Sequence, residues 1–420
     1  MNKINSFYLS KLLHRDIYDE YGDCIGRVWD IYATDRSGYP KAIGYQVKKD
    51  GEIFNYEFRH AEFFEDKGKL TVRIRGAKDI IPRRFSFLLS RNLLDKQIVD
   101  VNGKKVVRVN DLRLADFNGE LRAIAVETGI LALSRRYKLN IFLETFYRII
   151  RKKITDTVVM WDDVESLEVY GDNLKISIPY KKISKLHPAD IADIIEGVDL
   201  KYRNKIFESL DETTAADTLE EIEPEFQARI IESLSDSKIK DVVVNMSNDE
   251  IADLMEEVDK NTQEKILLSL ESEDEEIVRG LMKYEDETVG SIMNTDHISF
   301  SLNIKIGEVV EILRESRPEE KALHYIYIID EEEKIQGVIS IRELLLSDPE
   351  KWIKEVMDKD VITAVDHEKI DNALKKCIKY DLTAIPVVND DKKLQGIVII
   401  NDIIDEFYFE KGKKILKKAI

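Results

Sequence analysis

The first 180 residues alternate short apolar runs with turn-forming residues, a pattern typical of β-strands. Runs rich in Val, Ile, Tyr and Phe are separated by signals such as Asp50-Gly51, a dipeptide favoured in hairpin turns. Two stretches follow the same order of strand, turn, strand, Asp and a further strand. They predict two small β domains, over residues 1–85 and 86–180, and the second includes a predicted basic helix over 140–155.

The next stretch has a helical period and little glycine, and it contains an internal repeat. Residues 191–199 recur 60 positions later as 251–259, and the partner helix 205–210 recurs as 265–270. Helix pairs that repeat and stack form a solenoid whose core lies between neighbours. We therefore predict an all-α helical-repeat domain, a small superhelix, over 184–285.

The last part of the chain reads as two α/β units offset by 59 residues. Each unit has a strand, a turn, a second strand and a helix that opens near an acidic residue, Glu343 in the first copy and Asp402 in the second. We predict tandem α/β domains over 288–346 and 354–410, followed by a basic tail over 411–420. The whole chain is therefore predicted to be a multidomain α+β protein.

Negative charge is concentrated in the helical stretch. Residues 184–290 hold 30 acidic and 11 basic residues, a balance of 11 − 30 = −19, whereas the whole chain carries −18. Like charges held this close oppose a compact structure unless water, salt or a bound cation offsets them. A bound cation would make the stretch a cation-controlled switch. The acidic balance also argues against a nucleic-acid partner, because phosphates require a basic surface.

Composition favours a cytoplasmic protein. Cys24 and Cys377 lie far apart and give neither a metal-ligand spacing nor a disulfide framework, which suits a reducing compartment. The N-terminus lacks the apolar run of a signal peptide, and no window approaches the roughly 18 consecutive apolar residues of a membrane span. We expect a chain that has no membrane span and cannot form a pore alone, with peripheral contact to lipid head groups possible through the basic tail.

The two α/β units resemble CBS domains, which carry a strand pair, a Gly-hydrophobic-hydrophobic-Thr/Ser turn and an Asp three residues later. The first copy has Ser340 with Glu343 in place of Asp, and the second has Asp402 with Ile399 in place of the hydroxyl. The resemblance implies a homodimer formed through the CBS pair and a cleft that commonly binds ATP or another adenine nucleotide. Its implied nucleotide contacts are Tyr325, Arg342 and Glu343. A pair that only dimerises remains the alternative.

The order of domains is more specific than either domain alone. Leu186-His187-Pro188 opens the acidic helical repeats, and the segment 284–293 links them to the CBS pair. This order resembles the cytosolic half of the MgtE magnesium transporter family over residues 184–410. The resemblance implies that Mg²⁺ holds the helical domain against the CBS pair and that like charges push the two apart when Mg²⁺ is scarce.

The resemblance also implies a set of metal ligands. Its acidic positions are Asp217, Asp249 and Asp253 in the helical domain and Asp371, Asp381, Asp402, Asp405 and Glu410 in the second CBS copy. Asp249 and Asp253 are four residues apart and therefore share one helix face, as do Asp402 and Asp405 at a spacing of three. Carboxylate pairs on facing helices suit a hard cation that keeps part of its water.

The N-terminal β units resemble PRC-barrel domains, which usually supply protein contacts and carry no catalytic set. The sequence shows no nucleophile elbow, no phosphate-cradling glycine loop and no Cys/His pairing, so an enzyme is not expected. Three hypotheses remain. The first is a cytoplasmic Mg²⁺-responsive regulatory protein related to MgtE. The second is a sensor of adenine nucleotides, and the third is a dimeric scaffold whose barrels bind an unknown protein.

Overall fold

The structure of the protein is a computed structural model that describes residues 2–34, 38–66, 68–81, 86–137, 157–167, 180–318, 322–404 and 406. The predicted basic helix over 140–155, the tail over 411–420 and the predicted ligands Asp405 and Glu410 lie outside these residues. The chain divides into two units, Met1–Ile222 and Glu223–Ile420.

The first unit is mainly β-sheet. Its strands are β1 (Asn2–Lys3), β2 (Ser6–Tyr8), β3 (Asp16–Tyr18), β4 (Cys24–Thr34), β5 (Lys41–Lys49), β6 (Glu52–Asp66), β7 (Lys69–Asp79), β8 (Phe87–Leu88), β9 (Gln97–Asp100), β10 (Lys105–Arg108), β11 (Asp111–Phe117), β12 (Glu120–Glu127), β13 (Val158–Met160) and β14 (Val164–Ser166). Its helices are α1 (Leu9–Leu12), α2 (Leu89–Leu93), α3 (Ile130–Arg136), α4 (Pro188–Gly197), α5 (Leu200–Glu208) and α6 (Glu212–Glu220), with short 3₁₀ turns at Trp161–Asp163 and Ile183–Lys185.

Strands β3 to β7 close into a barrel. β3 pairs antiparallel with β4 and parallel with β7, and β5 pairs with both β4 and β6. The long β6–β7 hairpin completes the ring. Residues of this barrel and of the second β domain, including Phe63, Leu93 and Leu114, belong to one buried apolar cluster. The two predicted β domains therefore share a core.

The two β domains also exchange a short strand near the start of each domain. β2 pairs with β11 of the second domain, and β8 pairs with β4 of the first. The buried Asp111 accepts hydrogen bonds from the amide and hydroxyl of Ser10, at the start of α1, and the buried Asp30 accepts one from the amide of Ser90 (2.8 Å), at the start of α2. Each domain thus caps the first helix of the other, where free amides favour a carboxylate.

The second unit is helical and then α/β. Its helices are α7 (Pro224–Ser233), α8 (Asp236–Val243), α9 (Asn248–Glu257), α10 (Lys260–Ser269), α11 (Ser272–Leu281), α12 (Ile306–Ser316), α13 (Ile341–Leu346), α14 (Ile353–Val356) and α15 (Ile370–Tyr380), with a 3₁₀ turn at Val289–Ile292 and helical residues at 400–404. Its strands are β15 (Ile298–Ser301), β16 (Tyr325–Ile329), β17 (Ile335–Ser340), β18 (Ala364–Val365), β19 (Ala384–Val388) and β20 (Leu394–Ile399).

The helices of the repeat follow the predicted period. α4 and α9 begin and end 60 residues apart, as the sequence repeat requires. Side chains placed just before several helices satisfy free amides: Asp211 accepts from Thr214 (3.1 Å), and Asp259 accepts from Thr262 (2.7 Å). Most apolar residues of these helices are buried, apart from exceptions such as Leu200 and Leu268, and most of the carboxylates are exposed. The prediction of a helical-repeat region is confirmed.

The two α/β copies have the same topology. β15 runs parallel to β16 and β17 antiparallel to it, and β18, β19 and β20 repeat this order. Tyr327 of the first copy is fully buried and packs with Ala384 and Ile397 of the second. The copies therefore share a core, and the predicted fold class, with barrel-like sheets, a helical repeat and a tandem α/β pair, is confirmed.

Candidate cation site

Helix α9 carries the first group of candidate cation ligands, which are carboxylate oxygens. Its apolar face, which includes Ile251, Leu254 and Met255, is buried, while Asp249 and Asp253 lie one turn apart on the other side. No basic side chain among the residues that the structure describes forms an ion pair with Asp253. The carboxylates of this helix therefore line one face, as predicted from their spacing.

The residue before α9 has an unusual environment for a capping residue. Ser247 has the extended backbone of an N-cap, but its hydroxyl accepts no hydrogen bond from the helix. The side chain is 8% exposed, and its Oγ has no hydrogen-bond partner within the described part of the chain. Buried hydroxyls are normally satisfied by protein or by ordered water. This oxygen can therefore accept a water molecule or a hydrated ion.

The second group of oxygen atoms lies at the end of the second CBS copy. Ile403 is buried and fixes the helical residues 400–404 against the sheet, and the half-buried Asp402 and Glu406 flank it. The backbone amide of Ile400 donates to the carbonyl of Thr383 (2.9 Å), which sets where this helix begins. Both acidic residues belong to the same unit as α9.

The two groups act on one another electrostatically. Desolvation, followed by the charges of Asp249, Glu256, Glu406 and Asp402, raises the pKa of Asp253 from its ordinary value of 3.8 to about 7. Asp253 is exposed as a residue, yet protein atoms displace much of the water around its carboxylate. Burial and neighbouring acidic groups disfavour the ionised form of this carboxyl. A divalent cation bound beside it would favour the ionised form and so lower its pKa.

Acidic residues of α9 also interact with an acidic residue of the linker before the CBS pair. Desolvation and then the charges of Asp286 and Glu257 raise the pKa of Glu256. The linker itself is fixed to the second CBS copy, because the Val289 amide donates to the Glu368 carbonyl (2.7 Å) and the Gly290 amide donates to the Asp366 carbonyl (2.6 Å).

Tyr284 fastens the start of this linker. Its hydroxyl donates to Asp366 (3.4 Å), and its ring lies against Gly290 so closely that a side chain at position 290 would overlap the ring. Glycine is therefore required here by close approach and not by an unusual backbone angle. The Tyr284–Gly290 contact holds the end of the helical stretch against the CBS pair.

Three more of the predicted ligands, Asp217, Asp371 and Asp381, lie on other helices or at their ends. Asp371 is in the first turn of α15, and Asp381 ends that helix with a left-handed backbone (φ 54°); both are exposed. Neither is among the charges that act most strongly on Asp253. Asp217 is an exposed residue of α6, in the first unit. Within the described residues, no three His, Cys, Asp or Glu side chains are already arranged around a point that could hold a metal ion.

The predicted nucleotide-contact residues of the first CBS copy are Arg342 and Glu343, in the first turn of α13, and Tyr325, which pairs across the sheet with Ser340 just before that helix. Ser340 caps this helix by accepting from the Glu343 amide (3.2 Å), and Glu343 accepts in return from the amide and hydroxyl of Ser340 (3.1 and 3.0 Å). Arg342 is exposed beside this capping box, and the half-buried Tyr325 packs against the core shared by the two copies.

The sequence reasoning missed three acidic residues and the Ser247 hydroxyl. Glu406 lies four residues after Asp402, so the spacing rule that paired Asp249 with Asp253 would also have found it. Glu256 follows Asp253 by three residues on the same face. Asp286 lies in the linker, and no local pattern indicates it.

Comparisons with known proteins agree with the predicted order of domains. Residues 186–287 match the family profile of the MgtE intracellular N domain, residues 289–349 and 353–408 match the CBS domain, and residues 4–79 match the PRC-barrel domain. The chain is a relative of the MgtE cytosolic region. It joins an MgtE N domain and a CBS pair to PRC-barrel sheets, as the sequence predicted.

Among curated proteins, the magnesium transporter MgtE of Thermus thermophilus is 31% identical over 143 residues, which are 33% of this chain and 31% of that protein. The MgtE of Bacillus subtilis is 30% identical over 160 residues, 38% of this chain and 36% of that protein. The chain thus spans about a third of the length of these relatives. The matched families are regulatory or associated with transport.

Two solved structures resemble more than half of the chain. One is the cytosolic domain of the Mg²⁺ channel MgtE in complex with ATP, with 26% identity, a TM-score of 0.51 and coverage of 53% of this chain and 91% of the other. The second is the soluble part of a magnesium transporter, with 28% identity, a TM-score of 0.52 and coverage of 55% and 91%. Among the described residues, none of the helices is both long and apolar enough to cross a bilayer.

Proposed function

We propose that this chain is a regulatory protein that responds to Mg²⁺ in the cytoplasm and that it has no catalytic activity. Mg²⁺ bridges the carboxylates of α9 and those of the second CBS copy and so stabilises the state in which they face each other. Acidic residues on two separate elements support the proposal. Asp249 lies on α9 with Asp253, whereas Asp402 and Glu406 lie at the end of the second CBS copy, and the charges of all three raise the pKa of Asp253.

The donor set suits this ion. Mg²⁺ prefers carboxylate and water oxygens, keeps several of its waters and takes one or two carboxylates from each element. Asp249 and Asp253 on one side and Asp402 and Glu406 on the other would supply such oxygens, and the buried Ser247 hydroxyl, which has no hydrogen-bond partner within the described residues, is proposed to bind one of the ion's waters. Asp405 and Glu410, which the family resemblance implies, belong to the same proposed set.

Binding stabilises the ion-bound arrangement by mass action. Without the ion, mutual repulsion among the carboxylates opposes that arrangement. The equilibrium between the two arrangements therefore depends on the concentration of free Mg²⁺. We propose that the barrels report this equilibrium to a protein partner and that the chain does not itself transport ions.

Small-angle scattering of the full chain tests the proposal. The radius of gyration in Mg²⁺ should be smaller than in EDTA at the same ionic strength, and Asp249→Asn with Asp253→Asn should remove the difference. The matched control is Asp193→Asn with Glu208→Gln, which removes two charges from exposed positions in the first unit. No compaction up to about 20 mM Mg²⁺, a generous limit for weak hydrated sites, would reject the proposal.

A second candidate function is adenine-nucleotide binding by the CBS pair, which the ATP complex of the similar cytosolic domain favours. Tyr325, Arg342 and Glu343 are the proposed contacts. Calorimetry with ATP or AMP should show a heat that Arg342→Ala abolishes, whereas a heat that survives in Arg342→Ala would remove this residue from the site.

A homodimer through the CBS pair is also proposed. Large apolar side chains are exposed on its helices: Leu345 is 66% exposed, Leu346 75% and Ile378 68%. Exposed apolar groups of this kind mark association surfaces. Light scattering should give twice the monomer mass, and Leu346→Asp with Ile378→Asp should give the monomer mass.

A further inference from the structure

The repeat in the helical region allows its two ends to be compared position by position. Helix α9 has an earlier repeat helix, α7, packed beside it. The backbone amide of Asp259, just after α9, donates to Glu232 Oε1 of α7 (3.1 Å). Helix α4 is the equivalent of α9 in the first repeat, so the sequence offers no earlier repeat helix to pack beside it.

A strand pair of the second β domain occupies that place. Helix α4 packs against β10, and the amide of Asp199 donates to Gln97 Oε1 of β9 (3.1 Å). Asp199 is the repeat equivalent of Asp259. The same backbone amide is therefore satisfied by a side chain of the previous helix in one repeat and by a side chain of strand β9 in the other.

The helix surface is adapted to this contact. Gly197 lies against Val106 of β10, and a Cβ at position 197 would stand 3.3 Å from Val106 Cγ2. The equivalent position in α9 is Glu257, which is exposed. The first repeat thus lacks a charged side chain where the strand approaches.

Polar contacts fix the same surface at its edges. Lys104 Nζ lies 2.7 Å from Asp190 Oδ2 in the first turn of α4. In the connection to the helices, Lys182 Nζ donates to the carbonyls of Asp162 and Val164 (2.8 Å each). The ion pair is partly exposed and contributes little by itself, so the apolar contact and the hydrogen bond are the main links.

Solenoids need terminal elements that cover the open end of their first repeat. We propose that the three-stranded sheet β10-β9-β14 is the N-terminal cap of the helical repeat. The surface that bears Gln97 and Val106 binds the open end of the first helix pair in the position of a missing preceding repeat. The second β domain and helices α4 and α5 then move as one body. This inference does not depend on Mg²⁺.

Hydrogen exchange of the full chain, measured by mass spectrometry in EDTA, tests the cap. Val106→Glu places a charge in the contact from the strand side, and Gly197→Glu does so from the helix side. The control is Lys105→Gln, which changes the net charge by the same amount at an exposed position whose side chain points to the opposite face of β10.

Both contact variants should speed exchange in 188–197 by about tenfold or more, whereas exchange in 248–257 and in the control should stay within about twofold of wild type. Gly197→Glu is the decisive variant, because glutamate favours a helix more than glycine does and would otherwise slow exchange. Unchanged or slower exchange of 188–197 in Gly197→Glu would overturn the proposal, even if Val106→Glu had unfolded the second β domain.

Discussion

Replacing Asp253 by Asn should stabilise the protein when no divalent cation is present. The folded-state pKa of Asp253 is raised from 3.8 to about 7, so between these values the folded state binds more protons than the unfolded state. The free energy of unfolding therefore falls as pH rises through this window. The penalty is absent below about pH 4 and complete above about pH 7.

The size of the effect follows from the same values. Each unit of difference in pKa corresponds to about 1.4 kcal/mol, so the full difference would cost about 4 kcal/mol. Asp253 is exposed, and solvent screening reduces such costs considerably. We expect Asp253→Asn to stabilise the α9 region by about 1–2 kcal/mol at pH 8, and by less at pH 5, where Asp253 in the folded wild-type protein is already mostly protonated.

Hydrogen exchange of residues 248–257 in EDTA measures this local free energy directly. Asp193→Asn is the matched control, because Asp193 is the repeat equivalent of Asp253 and is also exposed. The control should change the local free energy by less than about 0.5 kcal/mol. A destabilised Asp253→Asn at pH 8, or an equal gain in the control, would refute the reasoning.

Three further predictions concern other parts of the chain. Glu406→Gln removes one of the charges that raise the pKa of Asp253, so carboxylate ¹³C NMR of Asp-labelled protein should show a lower pKa for Asp253. An unchanged pKa would mean that the charge of Glu406 does not act on Asp253. Gly290→Ala should destabilise the linker by about 1–3 kcal/mol in thermal unfolding because its Cβ overlaps Tyr284, and adding Tyr284→Ala should cost less than the sum of the two single changes. Asp111→Ala leaves a buried helix start without its acceptor and should cost about 1–3 kcal/mol in urea unfolding, whereas Asp116→Ala, which removes the acceptor of the Gly119 amide in an exposed turn, should cost clearly less.

Much of the architecture could be predicted because it repeats. The 60-residue offset placed α4 and α9, and the 59-residue offset placed the two CBS copies, since a repeated pattern of apolar residues specifies the same local structure twice. The spacing of Asp249 and Asp253 likewise fixed their common face. Each of these predictions relied either on the spacing of residues a few positions apart or on the comparison of one repeat with another.

The interlocking of the β domains could not be predicted from the same signals. Which strand β2 joins depends on residues about a hundred positions away, and no hairpin turn connects β2 with β11. The roles of Asp30 and Asp111 depend on that exchange. Each looks in the sequence like an ordinary acidic residue of a strand, and only the partner domain supplies the helix start that it caps.

The repeat also shows why residue type alone does not define the candidate cation site. Asp193 and Asp253 have the same neighbours in sequence, Ile-Ala before and a branched apolar residue after, and both are exposed on a helix. Only Asp253 shares a unit with Asp402 and Glu406, whose charges act on it. The acidic sequence of the helical stretch supplies many carboxylates, and we propose that only one with a second acidic element acting on it becomes a site for a divalent ion. Substitutions of Asp253 and Asp193 should therefore differ in their effect on the response to Mg²⁺, although the two residues are equivalent in the repeat.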